Sequence, residues 1–373
     1  MRFHILGIPH TISTPEYSSC AFTQKVVKLC KMLKAEGHTV IHYGNASSKV
    51  ECDENVAVTI GNDLAVSYPG HNWRKQGFPN FAKTDLCYKV FYQNTIEELA
   101  VRRQHGDFLL CAFGDWHKPV ADAHPDMIVV ESGIGYPNGT FAQFKIYESY
   151  AIMHAYQGNV AAISARNDFW YNAVIPNAFD LADFEFSAIK KDYLLFLGRV
   201  NSGKGIHLAQ QIARDTKTKL IVAGQADGCF IPDNEFVQHV GVVGPIKRKA
   251  LLRGATAVIC ASTFLEPFCG VQIEAMLSGT PVISTDWGAF AEYNAHGLTG
   301  YRCKTFEQFI WAARNAHKID PNDCRKWGEK FSLENVAPHY TDYFKSVADI
   351  FGGKGFYEPH DDRKTLANSS FGA

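Results

Sequence analysis

Two cations and two carboxylates stand at spacings that suit a hydroxylated diphosphate ligand. In "LLFLGRVNSGKGIHLA" (194–209) an apolar run enters Gly198, Arg199 follows, and Gly203 and Lys204 fall at the G-x-x-x-x-G-K spacing of a nucleotide-hydrolase loop. That loop needs a Ser or Thr after its Lys to hold Mg²⁺. Gly205 occupies the position instead, and the next strand, "KLIVAGQ", offers no acidic metal ligand. The stretch keeps its two cations, its glycines, which let backbone approach an anion, and a helix start with oriented N–H groups. Such a loop fits a diphosphate handled without a protein-held metal. The alternative is a plain turn with two solvated cations.

The second cluster lies in "STFLEPFCGVQIEAMLSGTPVISTDWGAFAE" (262–292), where seven residues separate Glu266 from Glu274. Pro267 suits a first helical turn and Gly279 a helix end. Glu266 then sits at the mouth of a helix and Glu274 about two turns inside it. Between them Phe268, Cys269, Gly270 and Val271 supply backbone N–H groups at a positive helix end. Carboxylates repel phosphate, so two of them beside a diphosphate site make sense only for a ligand rich in hydroxyls. A sugar nucleotide has that layout. Taken singly, Glu274 also reads as an ordinary exposed helical residue.

The elements that must position these groups follow an α/β pattern. "FHILGI" is a strand and "FTQKVVKLCKMLKAEGH" an amphipathic helix in which Val26, Leu29, Cys30 and Leu33 share a face, closed by Gly37. "TVIHYG", "DFLLCAFG" and "DMIVVESG" are further strands, while 66–95 reads as a long irregular excursion and "AAISARN" and "AVIPNAFD" as closing elements. After the polar stretch "DLADFEFSAIKKD" (180–192) a second series begins: strands "YLLFLGR", "KLIVAGQ", "VQHVGVV", "AVICAS" and "PVISTD", with helices "GIHLAQQIARD", "IKRKALLRG" and "VQIEAMLSG". The 373 residues suggest two domains, 46% of them apolar and 20% charged. A formal charge of −1 advertises no nucleic acid or anionic membrane as partner. The densest basic run, "PIKRKALLRG" (245–254), reads as a solvated helix face. No apolar run reaches the ~20 residues of a membrane span. The start, "MRFHILGIPHT", lacks a signal-peptide pattern, and the ten scattered cysteines fit reduced thiols in a cytoplasmic protein.

Four segments, in order, resemble the retaining GT-B glycosyltransferases of the family 4 type (glycosyl transferases group 1): "VIPNAFDLADF", "LLFLGRVNSGKG", the E-x7-E pair Glu266 and Glu274, and "GTPVISTDWGAFAE". "GHTVIHYG" is similar to that family's first helix-to-strand turn. The resemblance is high over 174–300 and weak before it. It implies an α/β GT-B architecture, two Rossmann-like doubly wound domains facing across a cleft. The boundaries that follow are 1–180 on the acceptor side, 181–331 for the nucleotide sugar, a helix over 332–351 crossing back, and an extended or disordered tail over 352–373. It further implies retention of anomeric configuration, no bound metal and no cofactor, the donor being a UDP- or GDP-linked sugar. Arg199 and Lys204 would bind the diphosphate, Glu274 the ribose, Glu266 the sugar hydroxyls, and the N–H groups of Phe268, Cys269, Gly270 and Val271 the phosphates. Val243 would lie near the nucleobase. The sequence departs from the pattern where Cys20 and Ala21 replace a Gly-Gly turn, where Cys269 stands in a place common to Gly, and where Ala178 replaces a frequent Gly.

On the acceptor side the family often carries a His after a first-domain strand. Here Glu131 in "VVESGIGY" takes that place, and Asp115 and His117 end the previous strand. Glu131 or His117 could orient an acceptor hydroxyl, or His117 could be a satisfied or solvent-facing loop residue. Trp73, Phe78 and Phe81 could stack on a sugar or base, or pack beneath a loop. The acceptor itself is a glycan or other hydroxylated molecule. Alternatives are a hydroxymethylated DNA base as acceptor, an epimerase or hydrolase acting on the sugar nucleotide, and a non-enzymatic nucleotide-binding module.

Overall fold

Alternation of short apolar strands with helices builds two sheets, each entirely parallel. The computed structural model describes residues 1–136, 139–161, 171–229 and 234–355. The chain divides into two units: Met1–Glu148, Met153–Ala178 and the stretch opening at Leu333 form the first, Ser149–Ile152 and Phe179–Ser332 the second.

The first unit runs β1 (Arg2–Leu6), α1 (Ala21–Ala35), β2 (Thr39–Asn45), β3 (Glu54–Thr59), α2 (Gly61–Ser67), α3 (Trp73–Gln76), α4 (Leu86–Arg102), β4 (Phe108–Cys111), α5 (Lys118–Asp122), β5 (Ile128–Ile134), β6 (Phe144–Tyr147), α6 (Tyr150–Ala161) and β7 (Asn172–Val174). Its strand order is β3-β2-β1-β4-β5-β6-β7. The α1 face expected from spacing is buried, and Gly37 closes the helix at φ +76°. All of β4 is buried, as strands covered on both faces must be. Leu6, Tyr43, Phe91, Leu99 and Leu109 form one core around it.

Two expectations need correction. The irregular excursion ends early, because Leu86–Arg102 is helix α4, with Cys87, Tyr88, Phe91 and Leu99 buried. Strands β3 and β6 escaped the pattern, β6 being four residues long and β3 exposed at Glu54, Asn55 and Ala57. Past Ala161, "AAISARN" falls outside the described residues.

The second unit runs β8 (Leu194–Leu197), α7 (Ile206–Thr216), β9 (Leu220–Ala223), β10 (Val237–His239), α8 (Pro245–Gly254), β11 (Ala257–Cys260), α9 (Gly270–Leu277), β12 (Val282–Thr285), α10 (Ala289–Tyr293), β13 (Gly300–Cys303), α11 (Phe306–Asn315) and α12 (Pro321–Glu329). The order is β10-β9-β8-β11-β12-β13. Helix α13 (Leu333–Phe351) belongs to the first unit, where Phe344 packs on Phe3 and Phe108 with ring centroids 4.8 and 5.4 Å away. Beyond residue 355 the expected tail lies outside the described residues. Among them no helix is long and apolar enough to cross a membrane.

In each sheet the chain builds outward from one central strand and then resumes on its other side, at β1/β4 and at β8/β11. In open parallel sheets the crevice at the carboxyl ends of such a strand pair is where ligands bind.

Candidate active site

β8 and β11 are paired neighbours, Leu194 opposite Ala257 and Leu195 opposite Val258. Their carboxyl-end loops therefore lie side by side. Thr263 N–H donates to the Gly203 carbonyl at 2.8 Å, tying the second loop to the first. Gly205 permits this approach: its φ is +75°, and a Cβ there would stand 2.1 Å from the Ala261 carbonyl oxygen. The residue that rules out a Mg²⁺-holding hydroxyl is thus the one that lets the two loops touch.

This contact delivers Lys204 to Glu266. The ammonium donates to Glu266 Oε1 at 2.5 Å, and Ser262 Oγ donates to the same oxygen, also at 2.5 Å. Glu266 is only 2% exposed, and its backbone is held by Ala289, whose N–H donates to the Glu266 carbonyl at 3.2 Å. Burial is the largest single influence on the Lys204 pKa and pushes it down, but the Glu266 carboxylate together with Cys269 and Cys260 acts the other way, and the net movement is upward. The Lys204 ammonium also lies 5.0 Å from the centre of the Phe264 ring. Asn201 Oδ1 accepts from the Lys204 backbone N–H at 2.9 Å and fixes the turn. Arg199 is exposed just past the end of β8, beside Gly198.

Helix α9 starts at Gly270, three residues later than Pro267 suggests, so Pro267 belongs to the preceding loop. Cys269 caps it in the left-handed region, φ +60° and ψ +75°. A non-glycine residue there is strained. The Gly-like backbone expected at this place is therefore present although the Gly is not. At Cys20 the opposite holds: its φ of −111° is extended, and the positive-φ turn implied by the resemblance does not form. The first N–H groups of α9 have no partner within the helix. Phe268 is buried in the core and contributes only backbone to this end; Val271 packs partly against that core.

Glu274 sits on the second turn of α9. It is no free surface residue: Arg248 of α8 donates Nε to Glu274 Oε2 at 2.8 Å and Nη2 to the same oxygen. The basic run 245–254 is accordingly more than a solvated face. Sequence reasoning passed over Arg248, since its neighbours Lys247 and Lys249 have the same charge. Val243 is a core side chain, 7% exposed, so only its backbone is available near the α8 start. The structure thus brings Lys204, Glu266 and the loops around them together, and ties Glu274 to α8.

The first-unit candidates have other partners. His117 is fully buried; its Nε2 contacts the Gly7 carbonyl oxygen at 3.1 Å, joining the loop after β4 to the end of β1. Burial pushes its pKa down to about 3, and its Nδ1 has no hydrogen-bond partner. It is a neutral core histidine, not a solvent-facing one. Glu131, also fully buried, accepts from the Phe141 and Ala142 N–H groups and from the Tyr136 hydroxyl, each at 2.9 Å. Burial lifts its pKa to about 7 against those donors. Asp115 pairs with Lys83 at 2.9 Å. Trp73 stacks on Tyr17 at 4.5 Å, Phe81 stacks on His10 at 3.9 Å, and Phe78 meets Phe81 at 6.4 Å. Trp73 thus packs against Tyr17, and Phe78 and Phe81 pack towards His10, each within the protein. All ten cysteines are free thiols, and Cys260 and Cys269 lie with sulfurs 4.0 Å apart.

Residues 181–331 match the family model "Glycosyl transferases group 1". An uncharacterized glycosyltransferase of Methanocaldococcus jannaschii is 26% identical over 213 residues, which cover 49% of this chain and 54% of that protein. The chain thus spans about half the length of the curated relatives it matches. Among solved structures, AviGT4, a glycosyltransferase involved in avilamycin A biosynthesis, has a TM-score of 0.69 at 19% identity, covering 94% of this chain and 98% of that one. HepE of Anabaena, in complex with UDP and glucose, has a TM-score of 0.64 at 15% identity, covering 93% and 100%. The fold they share with this chain is GT-B.

Proposed function

Because residues 181–331 form a group 1 glycosyl transferase domain on a GT-B fold, we propose that this protein transfers a sugar from a nucleoside diphosphate sugar to an acceptor hydroxyl. The observation that carries the proposal is the Lys204–Glu266 pair, brought together by the touching carboxyl-end loops of β8 and β11. Lys204 and Arg199 balance the negative charge that grows on the departing diphosphate, and the open N–H groups of Cys269, Gly270 and Val271 share it. Glu266, anchored by Lys204 and Ser262, receives the hydroxyls of the transferred sugar. Glu274 receives those of the ribose.

In this reading the reaction proceeds with retention and without a bound metal, as in the family the sequence resembles. The nucleotide is UDP or GDP; the complex of HepE with UDP and glucose supports the first. The acceptor is a glycan or another hydroxylated molecule. The ten free thiols fit a reducing compartment, and we place the enzyme in the cytoplasm.

A thermal-shift panel of UDP-, GDP- and ADP-sugars tests the reading, since a ligand bound by the folded state alone raises the melting midpoint. One donor is expected to raise it for the native protein and not for Lys204→Ala, whose transfer rate falls about 10²–10³-fold. No shift with any donor overturns the proposal. Donor cleavage that is unaffected by any acceptor redirects it to hydrolysis.

A further inference from the structure

The donor reading gives no role to the cation that holds Glu274. Arg248 stands in the first turn of α8, its N–H donating to the Gly244 carbonyl at 2.9 Å. Of the three adjacent cations on this helix, Lys247 is exposed and Lys249 donates to the Ala182 carbonyl at 3.0 Å, while Arg248 reaches across to α9. Both of its contacts end on a single oxygen, Glu274 Oε2. The other oxygen, Oε1, is directed back along α9: it lies 3.9 Å from where a Cβ on Gly270 would stand. The two side chains are 22% and 15% exposed, so water competes for the pair only in part.

We propose that Arg248 is a positioning residue: it fixes the Glu274 carboxylate so that Oε1 faces the ribose hydroxyls of the bound nucleotide. The proposal rests on the donor reading above and adds a cause for ribose recognition. A lone glutamate on a helix samples several rotamers and loses that freedom when it grips a ligand. Two N–H groups of a planar guanidinium on one oxygen remove that freedom beforehand. An ammonium at this position would act as a point charge and fix the direction less well. Arg248 touches neither sugar nor phosphate in this scheme; it acts through Glu274.

Calorimetric titration with UDP and GDP and with their 2′,3′-dideoxy counterparts tests the proposal on the native protein, Arg248→Met, Arg248→Lys and Glu274→Ala. The native protein should prefer the ribonucleotide by about 10-fold or more, the usual scale for hydrogen bonds to a charged group. Glu274→Ala should abolish that preference. Arg248→Met should reduce it to about 3-fold or less while leaving the dideoxy affinity nearly unchanged, and Arg248→Lys should restore part of it. A merely structural role would weaken both nucleotides alike. Unliganded melting temperatures identify a variant that folds poorly, and Arg248→Lys then carries the comparison. Full ribose preference in Arg248→Met, or equal loss for both nucleotides, overturns the assignment of Arg248 alone. If the native protein binds neither nucleotide, or Glu274→Ala keeps the preference, the donor reading fails and this inference with it.

Discussion

The two sheets share their order up to one extra edge strand, yet the polar groups at their switch points differ in kind. At the carboxyl ends of β1 and β4 they are His10, stacked on Phe81 and bound to the Tyr88 hydroxyl at 2.7 Å, and His117, bound to the Gly7 carbonyl. At the ends of β8 and β11 they are an ammonium and a carboxylate in contact. Among the described residues every buried histidine (His4, His10, His42, His117, His124) belongs to the first unit. A neutral ring bound to backbone or hydroxyl holds loops in place. An ion pair beside open helix N–H groups can exchange partners with a ligand. The β1/β4 junction is thus finished for rigidity and the β8/β11 junction for charge, while the first unit keeps an ion pair of its own, Lys25 with Glu148.

The sharpest way to separate the units is acid. Burial drops the pKa of His10 and His117 from 6.5 to about 3, and that of His42 to about 4. A histidine depressed on folding gives stability that is complete above 6.5 and is lost as pH falls toward its folded value, about 1.4 kcal/mol per pKa unit. Glu131 works the other way: raised from 4.5 to about 7, it gives stability below 4.5 that is lost as pH rises through 7. Three histidines outweigh one carboxyl, so between pH 6.5 and 4 the first unit should loosen before the second. Hydrogen exchange read peptide by peptide checks this; equal loosening of both units would break the comparison.

A smaller effect is expected from His117→Leu. It leaves the buried Gly7 carbonyl without its donor and should cost about 1–3 kcal/mol in urea unfolding, with donor affinity unchanged in whatever fraction remains folded. A selective loss of turnover at full stability would return His117 to the acceptor chemistry. Smallest is Cys269→Gly. It relieves a left-handed backbone and should stabilise the second unit by about 0.5–1 kcal/mol, allowing for the greater freedom of an unfolded glycine. A lower melting temperature would show that the thiol's packing outweighs the strain.

What the sequence disclosed and what it hid divide along a physical line. The helix α1 face, five of the six strands of the second unit and the helical setting of Glu274 follow from local spacing. Strand β13, four residues opening on Gly300, escapes it, and Glu274 stands on the second turn of α9 because that helix starts later than Pro267 suggests. Strand β6, four residues with a Lys among aromatics, carries too little alternation to stand out. Arg248 is one of three cations in a row, and only helical phase against α9 distinguishes it. His117 stands between Trp116 and Lys118 in a polar-looking loop, and its burial arises from Phe113 four residues before it and from Phe91, a contact far along the chain. The Lys204–Glu266 contact likewise depends on β8 lying beside β11, a neighbourhood that spacing does not encode.

Lys204 already has an anion before any nucleotide arrives. On the donor reading, binding is therefore a swap: the phosphate takes over an ammonium that Glu266 must release or share, and the net electrostatic gain is the difference between two attractions. Such a pocket trades brute affinity for a shallow response to ionic strength, because added salt weakens the outgoing and the incoming partner together.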